Sequence, residues 1–170
     1  MDSQQIEFRP LTAADLPLLH SWLNRPHVVE WWNAEPSLHE VRAKYLPRIA
    51  AGPVRPYVAY AGSEPIGYIQ SYVAIESAGG WWTGSSDPSV LGIDQFVAEP
   101  GRLGQGLGTA MVSQFASFLF SDPAISRIQV DPHPDNLRAI RCYEKAGFHA
   151  QRVVSTPHGS ALLMTLDRLD

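Results

Sequence analysis

The stretch Pro100-Gly101-Arg102-Leu103-Gly104-Gln105-Gly106-Leu107-Gly108-Thr109 constrains this chain more than any other. Glycines alternate at 104, 106 and 108. An apolar, alternating run precedes them (Val90, Leu91, Ile93, Phe96, Val97) and reads as a strand. Leu107, Met111, Phe115, Phe118 and Leu119 follow at helical spacing on one face. A strand that turns through glycines into a helix leaves backbone N–H groups pointing outward at the positive end of the helix dipole, a place for a phosphate or pyrophosphate. A Cβ there would hold an anion off the backbone. No Gly-Lys-Ser/Thr follows, which excludes a P-loop, and the G-x-G-x-G spacing does not fit the dinucleotide fingerprint. A glycine turn that only caps a strand is the alternative reading of this stretch alone.

The remaining chain supplies strands and helices around that turn. Gln5 to Arg9 reads as a first strand. Thr12, with Asp15 three residues on, opens a helix whose apolar face is Leu16, Leu19, Trp22 and Leu23. Ser37 and Glu40 form a capping box for a second helix, with Val41, Tyr45, Leu46 and Ile49 expected to face inward and Pro47 weakening its last turn. Arg55 to Tyr60 and Ile66 to Ile75 flank a hairpin turn at Gly62-Ser63-Glu64-Pro65. Glu76 to Ser89, with Gly79-Gly80 and Trp81-Trp82, is long enough to suggest a binding loop. The central strand lies near Leu91–Ala98, and the glycine-turn helix runs to about Phe120. Ser126 to Val130 is a strand. Asp135 or Asn136 caps a helix that Gly147 stops, and two last strands surround Thr156-Pro157-His158-Gly159. This order predicts an α/β (α+β) fold: one domain over residues 1–170, with a mixed sheet and helices on both faces.

Composition narrows the class of function. The length of 170 residues with 45% hydrophobic content suits a single soluble core. No apolar run reaches the ~18 residues of a membrane helix, and Met1 to Arg9 lacks a signal pattern, so a cytoplasmic location is expected. The net charge of −4 speaks against nucleic acid and suits a cationic small molecule. The single cysteine, Cys142, permits no internal disulfide, and the six histidines show no metal spacing.

A second stretch, from Asp131 to Phe148, contains the pattern Asn136-x-x-Ala139-x-x-x-Tyr143-Glu144-Lys145-x-Gly147-Phe148. With the glycine-turn helix before it, this resembles the second half of a GNAT acetyltransferase. Further strings resemble the aminoglycoside 6′-N-acetyltransferases: Trp22 to Trp32, Glu64-Pro65-Ile66-Gly67-Tyr68, Gln70-Ser71-Tyr72, Gly80-Trp81-Trp82, Gly92-Ile93-Asp94-Gln95 and Asn136 to Tyr143. The resemblance implies a GNAT fold, with a mostly antiparallel sheet whose strands splay. It also implies acetyl-CoA as cofactor, a cationic aminoglycoside as substrate, and a monomer or homodimer with no nucleic-acid or membrane partner. The chain departs from the family at Gly101, where Gln or Arg commonly starts the glycine signature, at Ala78-Gly79-Gly80 and at His158, where acidic residues occur in relatives.

Acetyl transfer to an amine needs a neutral amine, a stabilised carbonyl oxygen and a proton for the leaving thiolate. The resemblance implies cofactor contacts at Phe96, Val97, Arg102, Leu103, Gly104, Gln105, Gly106, Leu107, Gly108, Thr109, Asn136, Ala139 and Tyr143. It also implies a bulge at Phe96-Val97 that frees N–H groups. Asn136 reads equally as a plain N-cap. Tyr143, two turns after Asn136, is expected to return a proton to the sulfur, its alternative being a core aromatic. Asp94 is a carboxylate in an apolar strand, expected to orient the acceptor amine and take its proton, its alternative being an ion-paired Asp. Substrate contacts are expected from Trp31, Gln70, Tyr72, Trp81, Asp87, Asp94, Asp131 and His158, although Asp87-Pro88 also reads as a turn and each tryptophan as core. Cys142 adjoins Tyr143 and so points elsewhere, which favours direct transfer over an acetyl-enzyme. Two other functions fit less well: an N-acyltransferase for another polyamine or a siderophore precursor, and an acyl-CoA sensor without turnover.

Overall fold

The computed structural model describes residues 4–74 and 87–170. Among the described residues, seven strands form one sheet in the order β1-β2-β3-β4-β5-β7-β6. They are β1 (Ile6–Pro10), β2 (Val54–Ala61), β3 (Glu64–Val73), β4 (Val90–Val97), β5 (Arg127–Val130), β6 (His149–Thr156) and β7 (Gly159–Asp167). Every pairing is antiparallel except β4 with β5. The helices are α1 (Leu16–Leu23), a single-turn α2 (Pro26–Val29), α3 (Leu38–Ala50), α4 (Leu107–Phe120) and α5 (Leu137–Lys145). The expected order of strands and long helices is the observed one; α2 is an addition in the segment that reads as an interruption.

Local rules explain the boundaries. The Asp15 carboxylate accepts from the Thr12 N–H at 2.8 Å. At α3, Glu40 N–H donates to Ser37 Oγ at 3.1 Å and Ser37 N–H to Glu40 Oε2 at 3.0 Å, a reciprocal capping box. The β2–β3 hairpin turns on Gly62 at φ 62°, the left-handed region that a tight hairpin requires.

Two cores cover the two faces of the sheet. On one, Met111, Val112, Phe115 and Leu119 of α4 and Tyr143 of α5 pack on Ile69, Leu91, Ile93 and Ile128. On the other, Leu19, Trp22 and Leu23 of α1 and Val41 and Tyr45 of α3 pack on Val58, Tyr68 and Phe96. Two expected inward residues face out. Leu46 is 40% exposed because the stripe α3 buries is only Val41 and Tyr45 wide. Phe118 is 45% exposed but stacks on Phe115 at 5.7 Å and leans on Phe8 and Tyr57.

The sheet divides at β4. Its pairing with β3 runs without a break from Gly67↔Val97 to Val73↔Leu91. Its pairing with β5 covers only Val90, Leu91 and Gly92. The strands splay beyond Gly92, as the resemblance implied. The bulge expected at Phe96-Val97 is absent from the β3–β4 register; the edge is freed by the departure of β5, not by an extra residue.

Candidate active site

The free edge of β4 can be read residue by residue. Ala98 N–H donates to Ile66 O at 2.9 Å. Alternation in an antiparallel ladder then turns the N–H and C=O of Val97 towards the opposite edge, where β5 has left. The Val97 carbonyl accepts from His27 Nε2 at 2.8 Å, which places that ring proton on Nε2 and leaves His27 Nδ1 buried without a partner among the described residues.

After β4 the chain makes one tight turn at Pro100–Arg102 and reaches α4 through Gly104 (φ 75°) and Gly106 (φ 84°), the latter being the N-cap. Positive φ explains both glycines, since an L side chain is strained there. A Cβ built at Gly101, Gly104 or Gly106 meets nothing within 4 Å, so the turn is bare backbone opening on free space. Gly108 lies inside α4, where a Cβ would contact Cys142 Sγ at 3.4 Å and Val97 Cγ2 at 3.6 Å. The Gln105 amide folds back to donate to Gly101 O at 2.8 Å. Arg102 turns to Glu64, 3.3 Å away on the β2–β3 turn. Free edge, bare turn and helix N-terminus fit a long cofactor with a pyrophosphate: Val97 would pair its extended arm, and Leu103 to Thr109 would hold its phosphates.

A cavity of about 710 Å³ opens between the halves of the sheet. Asp94 and Gln95 of β4, Gln70 of β3, and Asn136, Ala139 and Tyr143 of α5 line it. Asp131, His133, His158, Glu30, Trp31 and Trp32 also line it. Trp31 and His133 meet across it at 5.7 Å between ring centroids.

Asp94 sits in a built hydrogen-bond chain. Gln70 Nε2 donates to its Oδ2 at 2.9 Å, and Tyr68 Oη donates to Gln70 Oε1 at 2.6 Å. Burial pushes the Asp94 carboxyl above its ordinary range, while the Gln70 hydrogen bond and the Arg48 charge pull it back. Burial, with the nearby Asp94 carboxylate, raises the Tyr143 phenol well above its usual value, so it is a proton holder at neutral pH. A carboxyl and a phenol thus face one cavity, both shifted by burial towards their protonated forms. Burial also raises the Cys142 thiol, and its side chain turns to Thr109 and Gly108 of α4. This agrees with excluding it as a nucleophile.

Trp31, Gln70, Asp94, Asp131, Asn136, Ala139, Tyr143 and His158 meet at the cavity. Asn136 is an N-cap, accepting from Ala139 N–H at 3.2 Å, and its side chain also borders the cavity. Phe96 is core, between Trp22, Trp32 and Tyr68. Tyr72 packs its ring against Gly92, away from the cavity. Asp87 makes a turn, accepting from Ser89 N–H at 2.9 Å and Oγ at 2.6 Å, and does not line the cavity. Trp81 lies outside the described residues.

Sequence reading missed Lys44, Tyr45 and Arg48 of α3, together with Gln95 and His133, all on the cavity wall. Lys44 is paired with Glu35 at 2.6 Å. Among the described residues, Tyr45 Oη and Gln95 Oε1 are buried without a hydrogen-bond partner. The available signal was the spacing of Tyr45 and Arg48, which three residues place on adjacent faces of one helix.

A family model described as an acetyltransferase (GNAT) domain matches residues 12–156. An aminoglycoside N(6′)-acetyltransferase type 1 of Klebsiella pneumoniae is 50% identical over 170 residues, covering 98% of this chain and 85% of that protein. A solved structure of AAC(6′)-Ib with paromomycin and acetyl-CoA matches with a TM-score of 0.93 and 51% identity, over 96% of this chain and 94% of that one. AAC(6′)-Ib with coenzyme A and kanamycin matches with a TM-score of 0.92 and 51% identity, over 96% and 95%. An extent and identity of this order, on a fold with a splayed β4–β5 cleft, assign the chain to the GNAT acetyltransferases and, within them, to the family of the aminoglycoside N(6′)-acetyltransferases.

Proposed function

We propose that this protein transfers the acetyl group of acetyl-CoA to the 6′-amine of kanamycin- and tobramycin-type aminoglycosides, directly in a ternary complex, and so confers resistance. The observation that carries this reading is the meeting of Asp94 and Tyr143 at one cavity beside the free edge of β4. When bound, acetyl-CoA supplies the activated acyl group. The bare turn from Leu103 to Thr109 would take its phosphates, and the Val97 backbone its extended arm.

The chain's own groups do the rest. The Asp94 carboxylate draws in the acceptor ammonium and takes its proton, directly or through water. The Tyr143 hydroxyl delivers a proton on the thiol side of the cleft. Glu30 and Asp131 add negative charge for a polycationic guest, while the rings of Trp31 and Trp32 offer flat walls to its sugars. His158 stands at the cavity rim, where it supplies less negative charge than a carboxylate would.

Thiol release from acetyl-CoA, measured with kanamycin and with an analogue carrying a 6′-hydroxyl, tests the assignment. Release with the amine alone supports it. Release with neither, while a lysine-like or other polyamine is acetylated, moves the protein to a different acceptor.

A further inference from the structure

We propose that Arg48 is a positioning residue for the acceptor-amine site: it holds the Gln70 amide in the one orientation that presents its N–H₂ to Asp94. This rests on the reading of Asp94 as the carboxylate that receives the amine. A glutamine side chain ends in an acceptor oxygen and a two-donor nitrogen of nearly equal shape, so its neighbours decide which end points where. Gln70 Oε1 receives the Tyr68 hydroxyl at 2.6 Å and Arg48 Nη1 at 3.2 Å. Both are donors at that end, and Arg48 cannot become anything else, because a guanidinium has no acceptor and stays charged. Gln70 Nε2 is therefore left for Asp94 Oδ2, at 2.9 Å. Tyr68 alone is a weaker constraint, since its hydroxyl accepts as well as donates.

Arg48 is itself fixed. Its guanidinium lies 5.2 Å from the centroid of the Tyr45 ring, on the wall that α3 gives to the cavity. Tyr45 is fully buried. The same placement sets one positive charge near a carboxylate whose pKa burial raises, and that charge pulls it back down. The titratable groups facing Asp94 come from every element around it. Lys44 and Tyr45 stand beside Arg48 on α3, Tyr68 on β3 and Glu30 at the end of α2. Tyr143 faces it from α5, with Asp131, His133 and His158 across the cavity. Lys44 is held by Glu35, so Arg48 is the cation in this set with a hydrogen bond to the Asp94 relay.

The test is the pH profile of kcat/KM for kanamycin with the full chain and acetyl-CoA. Arg48→Met removes the charge and the donors but keeps the length. The acid limb is expected to move up by about one pH unit, with the KM for acetyl-CoA and the melting temperature unchanged. Arg48→Lys should restore most of the shift. Gln70→Leu, which cuts the relay and leaves Arg48 in place, should move the limb in the same direction. An acid limb that stays at the wild-type pH in Arg48→Met overturns the proposal, and so does a loss of melting temperature and of acetyl-CoA affinity with the limb unmoved. Asp94→Asn separates this from the underlying reading. If that variant keeps the limb, Asp94 is not the titrating base; if it loses the limb while Arg48→Met leaves it alone, only the role of Arg48 falls.

Discussion

The two edges of β4 do opposite jobs. On the β3 side every residue from Leu91 to Val97 is paired, and the side chains that face each other across that edge, Gln70 and Asp94, are hydrogen-bonded. On the β5 side the ladder stops at Gly92, and the polar main chain of the last residues turns to a cleft. A strand paired on one edge is held rigidly enough to present the other edge as a recognition surface. Unpaired backbone groups are a liability unless something covers them, which is the physical reason such an edge marks a ligand site.

The largest expected effect comes from Asp94→Asn, which keeps the shape of the closed-edge pair and removes its charge. Turnover with kanamycin should fall by about 10²–10⁴-fold, the range for a general base, while acetyl-CoA affinity in calorimetry stays level. The same variant should melt higher at neutral pH. The sign follows from burial: the raised carboxyl favours the protonated fold, so its stability is greatest below the unfolded-state pKa and declines as pH rises through the folded one. Unchanged turnover would leave the closed edge with no part in the chemistry.

Gly67→Ala tests the rigidity of that edge directly. A Cβ there would lie 2.4 Å from the Phe96 carbonyl oxygen, a backbone atom that cannot swing away. A loss of about 3 kcal/mol in urea unfolding is expected, at the upper end for overpacking. On the open side, Tyr143→Phe should lower kcat by about 10²-fold with little change in melting temperature, because the ring and its packing on Phe148 remain. Gly106→Ala meets no atom but must adopt φ 84°, so it should cost about 1 kcal/mol, read as weaker acetyl-CoA binding. If Gly106→Ala destabilised the fold as much as Gly67→Ala, the division between a structural and a functional edge would fail. The smallest effect is alkaline: burial lifts Tyr45 to about 12, so its protonated phenol supports the fold up to ordinary tyrosine pKa values and that support is lost as pH climbs through the folded value.

Much of this was legible before any coordinates. Capping residues at Ser37 and Asn136 and the glycines at 104 and 106 act over a few residues, and each sits where local rules put it; Thr12 caps a single 3-10 turn at Ala13–Asp15, and Asp15 caps α1 after it. Asp94 stood out as a charge in an apolar strand, and Tyr143 through the resemblance of its stretch to the GNAT pattern. Lys44 and Arg48 did not, because on an amphipathic helix a Lys or Arg beside the apolar stripe reads as solvated surface. Gln95 did not either: in a strand that is paired on both edges its amide would be an ordinary polar position. Tyr72 came from a string that resembles the family and Asp87 from its place in the tryptophan loop; Tyr72 packs on Gly92, and Asp87 closes a turn, its alternative reading.

Sequence alone determined the succession of strands and helices and the bare glycine turn, since hydrophobic period, caps and φ preferences are properties of near neighbours. Only the tertiary structure decided that β5 leaves β4 after Gly92, that α3 rather than solvent faces Asp94, and that Arg48 reaches Gln70. Those outcomes depend on residues far apart in the chain settling against a shared core, where the packing of all the layers, and no local pattern, sets the distance between two side chains.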